Sequence, residues 1–236
     1  MKVFNIHPFD IDAERFPEIQ SVLSERVVLK DSFKRNDIRL VAGVDVAYCT
    51  LNGNEYGICC ILVINVDTMK VIERTVSADQ VTVPYIPGYL AFRELPLILK
   101  AAEKLTCTPD LFMFDGNGIL HPRKMGIATH ASFFLNRPTI GIAKSYYRIA
   151  DVSFTSPSNA NKSFEDIVIG NEVYGRALRT HKDVKPIFVS CGNYIELSTA
   201  AEITLHLINR ESRLPIPVRL ADIETKRLKR LLVSKT

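Results

Sequence analysis

At 236 residues, with 47% apolar and 24% charged side chains, the chain suits one α/β core of ordinary globular composition. Its longest apolar runs, such as residues 58–64, have strand length and none resembles a membrane span, nor do the first ten residues resemble a secretory signal. Five cysteines without CxxC spacing suggest reduced thiols in the cytoplasm, and a net charge of +4 permits a polyanionic partner without requiring one.

The first predicted element is an amphipathic helix over about residues 10–29, from Ile19, Val22, Leu23 and Val27 at helical spacing. Strand-like runs follow at 39–48, 57–66 and 71–77. Short turns at Asn52-Gly53-Asn54 and Asp67-Thr68 make them an antiparallel meander. Helices and strands then alternate: helix 88–105, strand 110–115, helix 123–135, strand 139–143. Helices between short apolar strands imply right-handed crossovers and a parallel half-sheet. Residues 155–163, rich in Ser, Asn and Pro, read as a surface loop. Strands at 172–179 and 186–191, a helix at 198–209 and a last helix from about Asp222 complete the chain. Lys226, Arg227, Lys229 and Arg230 on that helix read as a solvated face more readily than a binding surface. Three antiparallel strands followed by parallel ones, flanked by helices, describe a ribonuclease-H-like mixed α/β sheet in a single domain over residues 1–236.

Three carboxylates stand in apolar surroundings. Asp45 lies within the run 40–48 and shares a strand face with Val41, Gly43 and Ala47. A charge there needs compensation. Its small neighbours leave room for an ion, although backbone N–H groups or an arginine would also serve. Asp115 ends an apolar strand and enters Gly116-Asn117-Gly118, beyond the carboxyl end where ligands gather in open α/β sheets. An Asp before Gly is also a common turn former. Glu94 falls on the apolar helix face with Leu90, Ile98, Ala101 and Leu105, opposite Arg93, Lys100, Glu103 and Lys104. A buried carboxylate needs a cation or a proton. Together the three suggest one hard cation such as Mg²⁺, with Lys144 projecting at the same sheet edge.

Seven blocks in order carry a resemblance. They are 41–45 (Val-Ala-Gly-Val-Asp), 84–94 with Pro84-Tyr85-Ile86-Pro87 and Ala91-Phe92-Arg93-Glu94, 115–123, 126–130, 138–144, 184–190 and 213–219. The chain resembles the endonuclease V family. The resemblance implies a ribonuclease-H-like fold, dependence on Mg²⁺ (with Mn²⁺ as substitute), and DNA containing hypoxanthine as substrate. It further implies hydrolysis of the second phosphodiester bond 3′ to the lesion, leaving 3′-hydroxyl and 5′-phosphate ends.

By the same resemblance Asp45 and Asp115 are direct metal ligands, Glu94 completes the acidic cluster, and Lys144 assists at the phosphate. Pro84, Tyr85, Ile86 and Pro87 match a wedge inserted beside the altered base. Two prolines stiffen such a loop, and an aromatic tip replaces lost stacking. Gly116, Gly118 and His121 are expected to line the base pocket, His121 in substrate contact and His130 in packing. Asn117 and Asn193 stand where many members carry His, and neither is assigned a catalytic role. Asp222 stands at the fourth metal-site position, where some relatives carry His. The enzyme expected is a monomeric cytoplasmic repair nuclease with no membrane partner. Inosine-containing RNA is an alternative substrate, and a noncatalytic lesion-binding protein is the reading from another class.

Overall fold

The computed structural model describes residues 1–234; the last two residues of the domain expected over 1–236 lie outside the described ones. A helix α1 (Phe16–Ser24) precedes a meander of β1 (Leu40–Leu51), β2 (Asn54–Asn65) and β3 (Val71–Gln80). Asn52 and Gly53, both at positive φ (49° and 80°), make the two-residue turn that matches strand twist. The hairpin is therefore tighter, and its strands longer, than the sequence pattern predicts.

After the meander come α2 (Leu90–Glu103), β4 (Leu111–Asp115), α3 (Ile127–Leu135) and β5 (Thr139–Ala143), then β6 (Phe164–Ile169), β7 (Glu172–Leu178), β8 (Ile187–Asn193), α4 (Leu197–His206) and α5 (Ile216–Val233). The eight strands form one sheet in the order β3-β2-β1-β4-β5-β8-β7-β6. β1, β4 and β5 are mutually parallel; β8 pairs antiparallel with β5. This is the ribonuclease-H-like arrangement expected, extended by a second antiparallel wing. No helix among the described residues is long and apolar enough to cross a membrane.

The pleat sends alternate residues of β1 to opposite layers. Val41 joins a core with Leu214, Val218 and Ala221 around α4 and α5. Ala42 and Val44 join the other, with Leu95, Ile98 and Ala128 of α2 and α3. Asp45 has the parity of Val41, so it faces α5.

Besides the longer hairpin strands, the clearest departures from the sequence reading are the first and last helices and one strand. The first helix is only nine residues long; Val27 instead packs from the following loop onto Leu23, Met125 and Phe133. The last helix begins at Ile216, ahead of Asp222. β6 lies within a stretch to which the sequence pattern assigned no element.

Candidate active site

Asp45, Asp115 and Asp222 come from three elements, yet each offers a carboxylate oxygen within 4.8 Å of the others. Val44 pairs with Phe114 in the parallel β1–β4 ladder, so Asp45 and Asp115 follow it side by side. Asp222 arrives on α5 because that helix presses onto β1 at Gly43. A Cβ there would stand 2.1 Å from the Pro217 carbonyl carbon and oxygen. Only glycine admits the helix so close.

The Lys144 ammonium bridges Asp115 and Asp222, at 2.6 Å from the latter. Lys226 adds a second cation to Asp222 at 2.7 Å. The Thr225 hydroxyl, fully buried, donates to Asp45. Glu94 approaches from α2 in the opposite layer, and its Oε1 accepts from the Tyr48 hydroxyl at 2.8 Å.

These groups repel one another. Burial pushes the Asp45 carboxyl up to about 7, reinforced by the charges of Asp115 and Asp222 and opposed by the Thr225 hydrogen bond. Burial likewise lifts Glu94 to about 8, with Asp45 and Asp115 adding to the rise and Tyr48 opposing it. Asp222 goes the other way: burial would raise it, but Lys144 and Lys226 together hold it below the usual carboxylate range. The set of half-buried oxygen donors, short of positive charge, fits a hard divalent cation. Asp45, Asp115 and Asp222 would hold it, with Glu94 beside them.

The sequence reading placed Asp45 and Asp115 on the metal, and they do converge. Asp222, which the resemblance set at the fourth metal-site position without making it a direct ligand, stands with them. Tyr48 and Thr225 were missed. Thr225 had a signal, lying three residues after Asp222 on the same helix face; Tyr48, three residues along a strand from Asp45, faces the opposite layer and had none.

Directly after Asp115, Gly116 and Asn117 floor a cavity of about 130 Å³, whereas Gly118, expected to line it, turns away against β8. Gly88, Tyr85, His121 and Tyr147 complete its walls. A Cβ on Gly118 would fall 2.0 Å from the Cys191 carbonyl oxygen, so the loop lies flush on β8. The Gly118 N–H donates to Ser190 Oγ at 2.8 Å. The Asn117 Oδ1 acceptor is buried and unpartnered among the described residues.

His121 lines this cavity, but both its ring nitrogens are already engaged. Nδ1 accepts from the Arg123 and Met125 N–H groups at 3.2 and 3.3 Å, which leaves the proton on Nε2 to be donated to the Gly88 carbonyl at 2.9 Å. Burial, helped by the Arg123 charge, lowers its pKa to about 4. The face of its ring, parallel to Tyr147 at 6.2 Å, remains for contact. His130 is fully buried against His7, Phe92 and Phe134. In the loop of residues 84–87, Pro84, Tyr85 and Pro87 are exposed and Ile86 is half-buried; Tyr85 stands 64% exposed at the cavity mouth.

A mixed sheet of this topology, with acidic side chains gathered where β4 ends beside the middle of β1, defines a nuclease of the ribonuclease-H-like class. The endonuclease V family profile matches residues 21–223. Endonuclease V of Bacillus thuringiensis subsp. konkukian is 58% identical over 220 residues, 93% of this chain and 94% of the relative. The crystal structure of endonuclease V from Bacillus subtilis superposes with a TM-score of 0.97 at 53% identity, covering all of both chains. That of Ciona intestinalis endonuclease V, in complex with a 24mer DNA containing an inosine followed by a ribo-adenosine, gives 0.81 at 29% identity over 92% of this chain and 98% of the other. The chain belongs to the endonuclease V family.

Proposed function

We propose that the protein is a repair endonuclease that recognises hypoxanthine in DNA and hydrolyses the second phosphodiester bond on its 3′ side, leaving 3′-hydroxyl and 5′-phosphate ends. One juxtaposition carries this reading. Asp115 of the carboxylate cluster and Asn117 of the cavity are two residues apart on one loop, so a cutting centre and a base-sized recess share a wall. The whole chain serves as one catalytic domain, since all eight strands join a single sheet.

Asp45, Asp115 and Asp222 would hold a Mg²⁺ ion, or Mn²⁺ in its place, with Glu94 completing the acidic cluster. When bound, such an ion supplies Lewis-acid charge and favours hydroxide over water at neutral pH. Lys144, already poised between two of the carboxylates, offers positive charge to the phosphate. Tyr85 enters the strand beside the altered base, where a ring substitutes for lost stacking. Gly116 lets the backbone approach the base while Gly118 seats the loop on β8, His121 presents its ring face, and Asn117 Oδ1 offers an acceptor to a donor on the base edge.

The test is nicking of a strand with one hypoxanthine, with and without Mg²⁺, mapped to the nucleotide. No cut, a cut elsewhere, or a cut indifferent to chelator would refute it. A second reading, cleavage of inosine-containing RNA, is favoured by the ribo-adenosine that follows inosine in the strand bound to the Ciona relative. Matched DNA and RNA strands at equal salt separate the two.

A further inference from the structure

The backbone carbonyl of Gly88, where the 84–87 loop meets α2, receives three side-chain donors. Gln20 Nε2 reaches it at 3.1 Å, His121 Nε2 at 2.9 Å and Arg123 Nη2 at 3.1 Å. A carbonyl has two lone pairs, so this oxygen is saturated. The donors come from separate parts of the chain: α1 for Gln20, the loop after β4 for the others.

Gln20 is the only one of the three on an element outside the sheet and its crossover loops. It is fully buried, and each end of its amide is used. Nε2 also donates to the Met125 carbonyl at 3.3 Å, and Oε1 accepts from Arg123 Nε at 2.6 Å. Gln20 therefore orients Arg123 as well as Gly88. Arg123 in turn lies over the Tyr89 ring at 4.3 Å. Phe16, one turn earlier on α1, stacks on Phe92 of α2 at 3.8 Å. Gly88 itself adopts φ +83°, and a Cβ there would stand 2.9 Å from Arg123 Nη2. The same glycine walls the cavity alongside Tyr85 and His121.

We propose that Gln20 is a positioning residue that locks the root of the 84–87 loop to the cavity through the Gly88 carbonyl, holding Tyr85 and the recess at one fixed spacing. This rests on the base-reading role proposed above. A loop already ordered before binding loses less freedom when a strand arrives, so the lock acts on recognition rather than on bond cleavage. Its loss raises KM and leaves kcat in place.

The experiment compares the wild type with Gln20→Met, which keeps the length and removes the polar ends. Hydrogen–deuterium exchange of the protein alone reads the lock without substrate or metal. The Tyr89 N–H, bonded to the Ile86 carbonyl at 3.0 Å, reports on loop closure. Its exchange is expected to rise about tenfold, the scale of one lost hydrogen bond, while the strands are unaffected. In steady-state nicking of a hypoxanthine strand, KM is expected to rise about tenfold and kcat to stay within about twofold. Unchanged exchange at Tyr89 overturns the lock, and so does faster exchange with an unchanged KM. Should Gln20→Met fail to fold, Gln20→Glu keeps the volume and the bond to Arg123 but sets an acceptor against the Gly88 carbonyl, and is held to the same two outcomes. If the wild type leaves hypoxanthine strands uncut, the proposed function falls, and the exchange measurement still decides the lock.

Discussion

The carboxylate cluster and the cavity adjoin at the end of β4, yet they are built on opposite principles. In the cluster the buried charges conflict: Asp45 and Glu94 are pushed to about 7 and 8 by burial and by neighbouring carboxylates. In the cavity most groups are neutral and mated: His121 uses both nitrogens, the Gly118 N–H has Ser190, and the Gly88 carbonyl is saturated. Asn117 Oδ1 is the exception. The first region keeps electrostatic free energy in reserve for a cation, whereas the second spends its bonds on shape. Substitutions should therefore separate function from fold in the cluster and couple them in the packed loop behind the cavity, though not at its exposed mouth.

The largest separation is expected from Asp45→Asn. Removing one of the proposed metal ligands should cut nicking about a thousandfold or more. The metal-free protein should unfold at the same temperature or higher, because a repelling buried charge is gone. The stabilisation that Mg²⁺ gives the wild type should shrink with it. Retained nicking, or a metal-free melting temperature several degrees lower, would break the contrast.

Gly118→Ala tests the other side. Its Cβ would overlap the Cys191 carbonyl, a backbone atom that cannot swing away. About 3 kcal/mol of stability should be lost in urea unfolding, with activity falling alongside. Wild-type stability in this variant would mean that the loop is not held flush on β8. A smaller effect is expected at Tyr85, which is exposed and makes the cavity mouth. Tyr85→Ala should change stability by less than about 0.5 kcal/mol and weaken binding of a hypoxanthine strand about tenfold, the lower range for losing one stacked base. Unaltered affinity, measured with a divalent cation that does not support cutting, would remove Tyr85 from the interface.

The same contrast explains what the sequence made legible. Asp45 and Glu94 were visible because a charge inside an apolar strand or stripe violates a pattern with a known period. The meander was visible from alternation and from Asn52-Gly53. Asp222 breaks no such pattern at the start of a charged helix, and only the family resemblance marked it. Only the close seating of α5 on Gly43, a tertiary contact, brings it to the cluster. β6 escaped because it is an edge strand with Ile167 as its one buried residue, so no alternation marks it. That both ring nitrogens of His121 are mated was not legible, since sequence carries no trace of their partners. Mated groups leave weaker signals than conflicted ones.

The two regions also pull stability in opposite directions with pH, which gives the finest test. Asp45 and Glu94 titrate higher in the folded protein than the unfolded value near 4. Their contribution is thus present at low pH and lost as pH rises through about 7 and 8. On the cavity side, α3 carries His130, whose Nε2 meets His7 Nε2 at 2.7 Å. His7 Nδ1 donates to the Pro8 carbonyl at 2.7 Å, so its Nε2 must accept and His130 must donate. A further proton on His7 would set two N–H groups against each other, and one on His130 Nδ1 would find no acceptor. Burial lowers both pKa values below the unfolded value of about 6.5. The unfolded chain then binds more protons below that pH, so this contribution is full above about 6.5 and lost as pH falls. In wild type the two trends partly cancel. Subtracting the urea stability of His7→Leu from that of the wild type removes the carboxylate part, which both proteins share. The difference should favour the wild type most near pH 7.5 and shrink steadily toward about pH 5. A difference that stays level across that range would mean the histidine pair is not held neutral, and the contrast between the two regions would end at the cavity wall.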